Sequence, residues 1–290
     1  MNKLKSGSTI AETILFIQEL LNKKYPPEEI FSFVNLIFED LIHYSKIDIQ
    51  LNKNIVLEEA IITEVNNIVS ELFQYKPIQY ILGHTEFFSL KFELNNSVLI
   101  PRQETEELVN WIITDNKHNN NIILDIGTGS GCIAVSLAKY LEKSIVSAVD
   151  ISPEIIKQAK SNARINDVKI GLKCMDILKD KDPGFSNLFN IIVSNPPYVR
   201  NSEKKYMSAN VIDYEPDIAL FVPDNNPLMY YKAISDLAKI YLKKNGSIYL
   251  EINECFGNEV IEMLDNNGLR KIELRKDING KDRMVKAIKI

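Results

Sequence analysis

The most directed chemistry in this chain sits in four consecutive residues, Asn195-Pro196-Pro197-Tyr198. They follow an apolar run, Leu188 to Val193, that reads as a buried strand. Two prolines end the strand and remove two backbone donors, and the residue before each proline is held extended. An Asn and a Tyr are thus fixed at a strand's carboxyl end, where open α/β sheets bind their ligands. Alone, the tetrapeptide is only a strand that stops at a turn-forming Asn. It gains meaning if a ligand site lies upstream.

Such a site is legible at Ile122-Ile123-Leu124-Asp125-Ile126-Gly127-Thr128-Gly129-Ser130-Gly131, a strand running into a glycine-rich turn and then a helix. Glycines permit positive φ and close approach of a ligand to bare backbone, and the helix start offers free amide donors. A dinucleotide loop requires G-x-G-x-x-G, but the spacing here is G-x-G-x-G and position 132 is Cys. No Gly-Lys-Ser/Thr follows, so a P-loop is excluded as well. Asp150, about twenty residues on, ends the second strand where an acid accepts hydrogen bonds from ribose hydroxyls. The competing role for Asp150 is a helix cap, which Ser152-Pro153 also supplies. Asp176, after the third strand, could sit beside an adenine amine or be a solvated loop acid. Asp125 would accept bonds from the loop or from a ligand's amino group. These groups describe a nucleoside ligand on a loop that is not a dinucleotide loop.

The elements that must position these residues alternate from Asn121 onward. Strands are expected at Ile122–Ile126, Ile145–Val149, Lys169–Met175, Leu188–Val193 and Ser247–Ile252, with helices at Ile133–Leu141, Pro153–Asn166, Leu228–Leu242 and Gly257–Asn266. Two final alternating runs, Lys271–Arg275 and Met284–Ile288, pair antiparallel. The order predicts an α/β doubly wound sheet with a hairpin at one edge. Residues 1–76 read as helical, with three amphipathic segments: one around Ile10–Leu21, one from Glu28 to Ile42, and one over Leu57–Phe73. From Pro77 the pattern turns to alternation. Residues 77–101 read as a β-hairpin linker with its turn at Asn95-Asn96, and residues 102–290 as the main domain. The acids of Gln103-Glu104-Thr105-Glu106-Glu107 suit the positive end of a helix dipole. The helical block serves either as a docking module or as a packing appendage.

Composition narrows the function further. With 45% hydrophobic and 25% charged residues, the chain is an ordinary globular one. No apolar run reaches the length of a membrane span. Met1–Ser6 has no apolar core behind its charges, so export is not expected. Cys132, Cys174 and Cys255 show no CxxC pairing, and His43, His84 and His118 are scattered. A reducing, cytoplasmic setting without disulfides or a metal site is expected. The 34 basic and 39 acidic side chains leave a net charge of −5, with no basic cluster for a nucleic-acid backbone.

Taken together, these segments resemble the PrmC/HemK family, the protein-(glutamine-N5) methyltransferases that act on peptide chain release factors. The resemblance runs nearly end to end. It includes Pro77 to Gly83, Val98-Leu99-Ile100-Pro101-Arg102, Asp125 to Gly131, Asn195 to Tyr198, Tyr214-Glu215-Pro216 with Ala219-Leu220, Leu250-Glu251-Ile252 and Gly280-Lys281-Asp282-Arg283. Asn-Pro-Pro-Tyr alone is shared with adenine-N6 DNA and RNA methyltransferases, so the other segments carry the substrate specificity.

The resemblance implies a class I S-adenosylmethionine-dependent methyltransferase domain, Rossmann-like, behind a small helical domain and a hairpin linker. It implies S-adenosylmethionine as donor. It also implies that the acceptor is the glutamine of the Gly-Gly-Gln loop in class I release factors, a protein methylation in translation termination. Asp125, Gly127, Thr128, Gly129, Ser130, Gly131, Asp150, Asp176, Ile177 and Asn195 are then expected to hold the donor. Asn195, Pro196, Pro197 and Tyr198 are expected to bind the acceptor, with Asn195, Pro196 and Tyr198 catalytic. The Asn195 side-chain oxygen and the Pro196 carbonyl can accept both hydrogens of a planar NH2 group, and Tyr198 can lie over the flat amide. No metal is needed, because the donor's positive sulfur supplies the driving force. The expected partners are release factors, without membrane or direct nucleic-acid binding, and the chain is expected to be a monomer. Departures from the family pattern are Gln103 in place of Pro, Asn253 in place of Gly, and Asp224 to Leu228 in a stretch usually richer in glycine. The loop from Lys179 to Gly184 is longer, and Ile177 stands where an aromatic would pack on adenine. Two other readings stay open, an adenine-N6 nucleic-acid methyltransferase and a non-catalytic S-adenosylmethionine-binding adaptor.

Overall fold

The computed structural model of the protein describes residues 3–290. Met1 and Asn2, the start of the N-terminal stretch read above, lie outside the described residues. The chain divides into two compact units. The first holds residues up to Gly83 together with Ala209–Tyr214, and the second holds His84–Ser208 and Glu215–Ile290. No helix among the described residues is long and apolar enough to cross a membrane.

In the helical unit, α1 (Ile10–Leu21), α2 (Pro27–Ile42), α3 (Lys46–Leu51), α4 (Glu59–Leu72) and α5 (Ile78–Leu82) enclose a core that includes Ile17, Leu21, Ile37, Phe38, Val65, Val69 and Leu72. Local chemistry sets the ends. Thr9 and Glu12 form a reciprocal capping box at the start of α1, Pro27 opens α2, and left-handed His43 closes it. Two of the helices, α3 and α5, were not expected. α5 lies in the stretch read as alternating, where Pro77 caps five residues and Gly83 ends them in the left-handed region.

The second unit opens with a hairpin of β1 (His84–Phe87) and β2 (Leu90–Glu93). Its turn is Phe88-Ser89, both at positive φ, and not Asn95-Asn96 as expected. Asn95 instead closes a local turn, its Oδ1 accepting from Ser97 N at 2.9 Å. The costly turn conformation is held from outside. Phe88 N donates to Glu106, the Phe88 carbonyl accepts from the Tyr140 hydroxyl at 3.0 Å, and the two rings meet edge to face. Glu106 therefore does more than balance a helix dipole.

There follow α6 (Gln103–Asn116), β3 (Ile122–Ile126), α7 (Cys132–Tyr140), β4 (Ile145–Asp150), α8 (Pro153–Ile165), β5 (Gly171–Cys174) and β6 (Phe189–Ser194). After the short strand β7 (Val199–Arg200) come α9 (Ala209–Tyr214), α10 (Asp217–Leu220), β8 (Phe221–Val222) and α11 (Met229–Tyr241). The chain finishes with β9 (Leu242–Glu251), α12 (Gly257–Asn266), β10 (Leu269–Lys276) and β11 (Asp282–Lys289). The seven-stranded sheet has the order β10-β11-β9-β6-β3-β4-β5, parallel from β9 to β5, with β11 antiparallel to both its neighbours. Strand order reverses between β3 and β6, and such a switch point opens a crevice at the strands' carboxyl ends. Ser194 ties the two strands together there, its hydroxyl donating to the Ile126 carbonyl at 2.6 Å. One core packs under α6, α7 and α8, and the other under α11 and α12.

Candidate active site

The glycine turn is stapled to the neighbouring strand, since Gly127 N and Thr128 N both donate to the Val149 carbonyl, at 2.9 and 3.1 Å. Gly127, Gly129 and Gly131 have φ of 72°, 54° and 85°. At Gly127 and Gly129 an added Cβ would meet nothing within 4 Å, so glycine here supplies the left-handed turn and a bare peptide face. Gly131 differs. A Cβ there would stand 3.1 Å from the Ala159 Cβ on α8, so this glycine permits close packing, one position earlier than a dinucleotide loop places its third glycine.

The acids line up at successive strand ends. Asp150 is 8% exposed; its Oδ2 accepts from Gly129 N at 2.9 Å and its Oδ1 from Ile151 N at 2.8 Å. It does not cap α8, because Ser152 does so by accepting from Glu154 N at 3.2 Å. Both oxygens keep lone pairs for further donors such as ribose hydroxyls. Asp125 is fully buried, with Oδ2 accepting the Thr128 hydroxyl at 2.6 Å and Oδ1 lacking a well-formed hydrogen bond among the described residues. Burial, opposed by the Thr128 hydroxyl and aided by Asp150, pushes its carboxyl up to about 7. Asp176 is engaged already, by Lys179 at 2.9 Å and Leu178 N at 3.0 Å; the Lys179 hydrogen bond chiefly holds its carboxyl below the usual range.

Asn195 stands beside β6, and its Nδ2 donates to Thr105 Oγ1 at 3.0 Å on the first turn of α6. Thr105 Oγ1 in turn donates to Glu251 Oε2 at 2.6 Å, at the end of β9. Among the described residues, neither Asn195 Oδ1 nor the Pro196 carbonyl accepts a hydrogen bond. The Tyr198 hydroxyl donates to Glu251 Oε1 at 3.0 Å, and burial with the adjacent carboxylate pushes that phenol well above its usual range. Its backbone carbonyl accepts from Asn253 Nδ2 at 3.1 Å, so the Asn that replaces a family glycine supports this segment.

A cavity of about 270 Å³ joins these features. It lies close to the lower end of the range for small-molecule sites, about 300–1,000 Å³. Gly127 to Ser130, Asp150, Asp176, Ile177 and Asn195 to Pro197 line it. Of the expected site residues among those described, Asp125, Gly131 and Tyr198 do not line it; the first two shape the loop, and Tyr198 is turned to Glu251. Another wall comes from Val98, Leu99, Pro101 and Arg102, and behind it the buried Glu215 takes the Arg102 guanidinium and Ile100 N. Thr105 and Tyr230 line the cavity and Glu215 and Glu251 brace its walls, places that the sequence reading left unassigned. Glu251 had a readable signal, an acid set between Leu250 and Ile252 inside an otherwise apolar run. Tyr230 had none, since its half-buried place in the cavity wall depends on where α11 docks.

Residues 104–214 match the family model described as Methyltransferase small domain. The release factor glutamine methyltransferase of Flavobacterium psychrophilum is 44% identical over 276 residues, which cover 94% of this chain and 96% of the relative. That of Bacteroides thetaiotaomicron is 42% identical over 273 residues, covering 94% and 97%. Among solved structures, a methyltransferase from Pyrococcus furiosus superposes with a TM-score of 0.53 at 16% identity, over 77% of this chain and 98% of that one. A Thermus thermophilus 16S rRNA N2 G1207 methyltransferase superposes with 0.51 at 15%, over 71% and 50%. Those two likenesses show the class I methyltransferase fold alone. The near-complete matches to the first two relatives carry the stronger statement: this chain belongs to the release factor glutamine methyltransferase family.

Proposed function

We propose that this protein methylates the N5 side-chain nitrogen of the glutamine in the Gly-Gly-Gln loop of class I peptide chain release factors, with S-adenosylmethionine as methyl donor. It acts as a monomer in the cytoplasm. The observation that carries the reading is the shared cavity: a glycine loop and ribose-accepting Asp150 on one side, and the unengaged oxygens of Asn195 and Pro196 on the other. The residues fit the donor. The open faces of Gly127 and Gly129, the Asp150 carboxylate and the under-bonded Asp125 suit a nucleoside bearing positive charge. Asp176 is offered to the adenine amine once Lys179 yields, and Ile177 and half-buried Tyr230 provide walls for its ring.

When bound, S-adenosylmethionine supplies an electrophilic methyl on a cationic sulfur. The acceptor amide is a poor nucleophile because its lone pair is delocalised into the carbonyl. Asn195 Oδ1 and the Pro196 carbonyl each take one hydrogen of its NH2 group, which holds the nitrogen in one plane and aims its lone pair into the cavity. Positioning of this kind supplies ~7–11 kcal/mol of a barrier. The proton the nitrogen must lose rests against one of these two oxygens and passes to solvent when the methylated product leaves. Pro197 and the Val98–Arg102 wall exclude solvent from the amide.

The test offers purified protein labelled donor with a release factor, its loop Gln-to-Ala variant, or bulk RNA and DNA. Label confined to the intact release factor is expected. Label in nucleic acid, or persisting in the Gln-to-Ala variant, overturns the reading; donor binding without turnover makes the chain an adaptor.

A further inference from the structure

We propose that Thr105 and Glu251 are positioning residues that decide which end of the Asn195 carboxamide faces the acceptor. This rests on the function proposed above. An Asn side chain has two ends of nearly equal shape, and only the oxygen end can accept from an NH2 group. Turned round, Asn195 would present its own NH2 to the acceptor's, donor against donor. Nothing in Asn195 itself makes the choice.

The hydrogen bonds behind it do. The Thr105 hydroxyl has one proton, and a fully buried carboxylate takes it: Glu251 is 1% exposed and its Oε2 lies 2.6 Å from Oγ1. Oγ1 therefore has only lone pairs left for Asn195, so it can face only the Nδ2 end, as the 3.0 Å contact shows. The other Glu251 oxygen accepts from Tyr198 at 3.0 Å, so both carboxylate oxygens face hydroxyl donors. The chain runs in one sense, from the acceptor's N–H to Asn195, from Asn195 to Thr105, and from Thr105 to Glu251. Three distant segments meet in it, the first turn of α6, the end of β6 and the end of β9.

Thr105→Val removes the hydroxyl and keeps the shape. It is expected to lower kcat about tenfold or more, the worth of a well-formed hydrogen bond in a site, with donor Kd and the KM for the release factor within about twofold. Thr105→Ser should restore most of the loss, and Glu251→Leu, which leaves the Thr105 hydroxyl without its acceptor, should behave like Thr105→Val. In an Asn195→Ala background, Thr105→Val should cost nothing further, because the relay acts only through Asn195. Failure of serine to rescue, or a full additional loss in the Asn195→Ala background, overturns the relay. A second readout needs no acceptor. One Asn195 side-chain amide proton should exchange with solvent at least tenfold more slowly in the native protein than in Thr105→Val. Equal exchange overturns the relay whatever the substrate proves to be, whereas a native protein without turnover but with the protected proton sinks only the functional reading.

Discussion

In the proposed reaction Asn195 is the residue on which the acceptor chemistry turns, so its removal should separate chemistry from donor binding. Asn195→Ala takes away the carboxamide and leaves the glycine loop, Asp125 and Asp150 intact. Turnover should fall about 10²–10³-fold, the usual cost of one well-placed group aimed at the reacting atoms. Donor affinity, read by calorimetry, should change less than about threefold. An equal loss of both would place Asn195 in the donor site instead. At this scale the sequence spoke clearly where chemistry and backbone coincide. Gly127 and Gly129 are glycines because the turn is left-handed, and Asn195 is fixed because Pro196 follows it. It was silent about Thr105, whose proposed role depends on a carboxyl 146 residues away. A pairing of that range leaves no periodicity or spacing to read.

The elements show the same division. Buried parallel strands read as apolar runs, so β3, β4 and β6 lie within a residue or so of their expected limits. The Phe88-Ser89 turn was illegible because neither residue favours positive φ, and the contacts that compensate come from α6 and α7. Packing between elements makes Gly131 testable. Gly131→Ala places a methyl 3.1 Å from Ala159 Cβ at a φ of 85°, so α8 must shift from the loop. A loss of about 1–3 kcal/mol in unfolding free energy is expected, together with weaker donor binding, measured by denaturant titration with and without donor. A wild-type midpoint would show that α8 yields freely. In the helical unit, Leu15 and Phe31 are 57% and 38% exposed on a groove that Ile14, Val34 and Ile49 also line. If this unit docks the release factor, Leu15→Asp should raise the KM for the release factor several-fold and leave donor Kd unchanged. An unchanged KM would make the groove a packing feature.

Across the whole molecule, three buried carboxyls stand at the carboxyl ends of parallel strands: Asp125, Asp150 and Glu251. Burial is the largest influence on each and raises all three, Asp125 to about 7. The consequence for stability has a definite sign. A carboxyl raised in the folded state holds its proton there after the unfolded chain has lost it, so the folded state binds more protons; for Asp125 that window runs from about pH 4 to about 7. Stability must then fall as pH rises through that window. Asp115 and Asp277 act in the opposite sense. Their burial is outweighed by bonds from Lys286 and from Lys281 N and Arg283 respectively, so their pKa values are lowered and their effect lies at pH below the usual carboxylate range. The two groups therefore do not cancel. For the donor-free protein, urea unfolding at pH 5 and pH 7 should show lower stability at pH 7, and Asp125→Asn should remove at most about 1.4 kcal/mol per pH unit of that slope. A bound cationic donor favours the charged form of Asp125 and draws its titration down. Saturating S-adenosylmethionine should therefore flatten the slope and stabilise the protein more at pH 7 than at pH 5. The same slope in the Asp125→Asn variant as in the native chain would mean that Asp125 ionises freely in the folded protein, and that its place beneath the glycine loop has no part in holding the donor's charge.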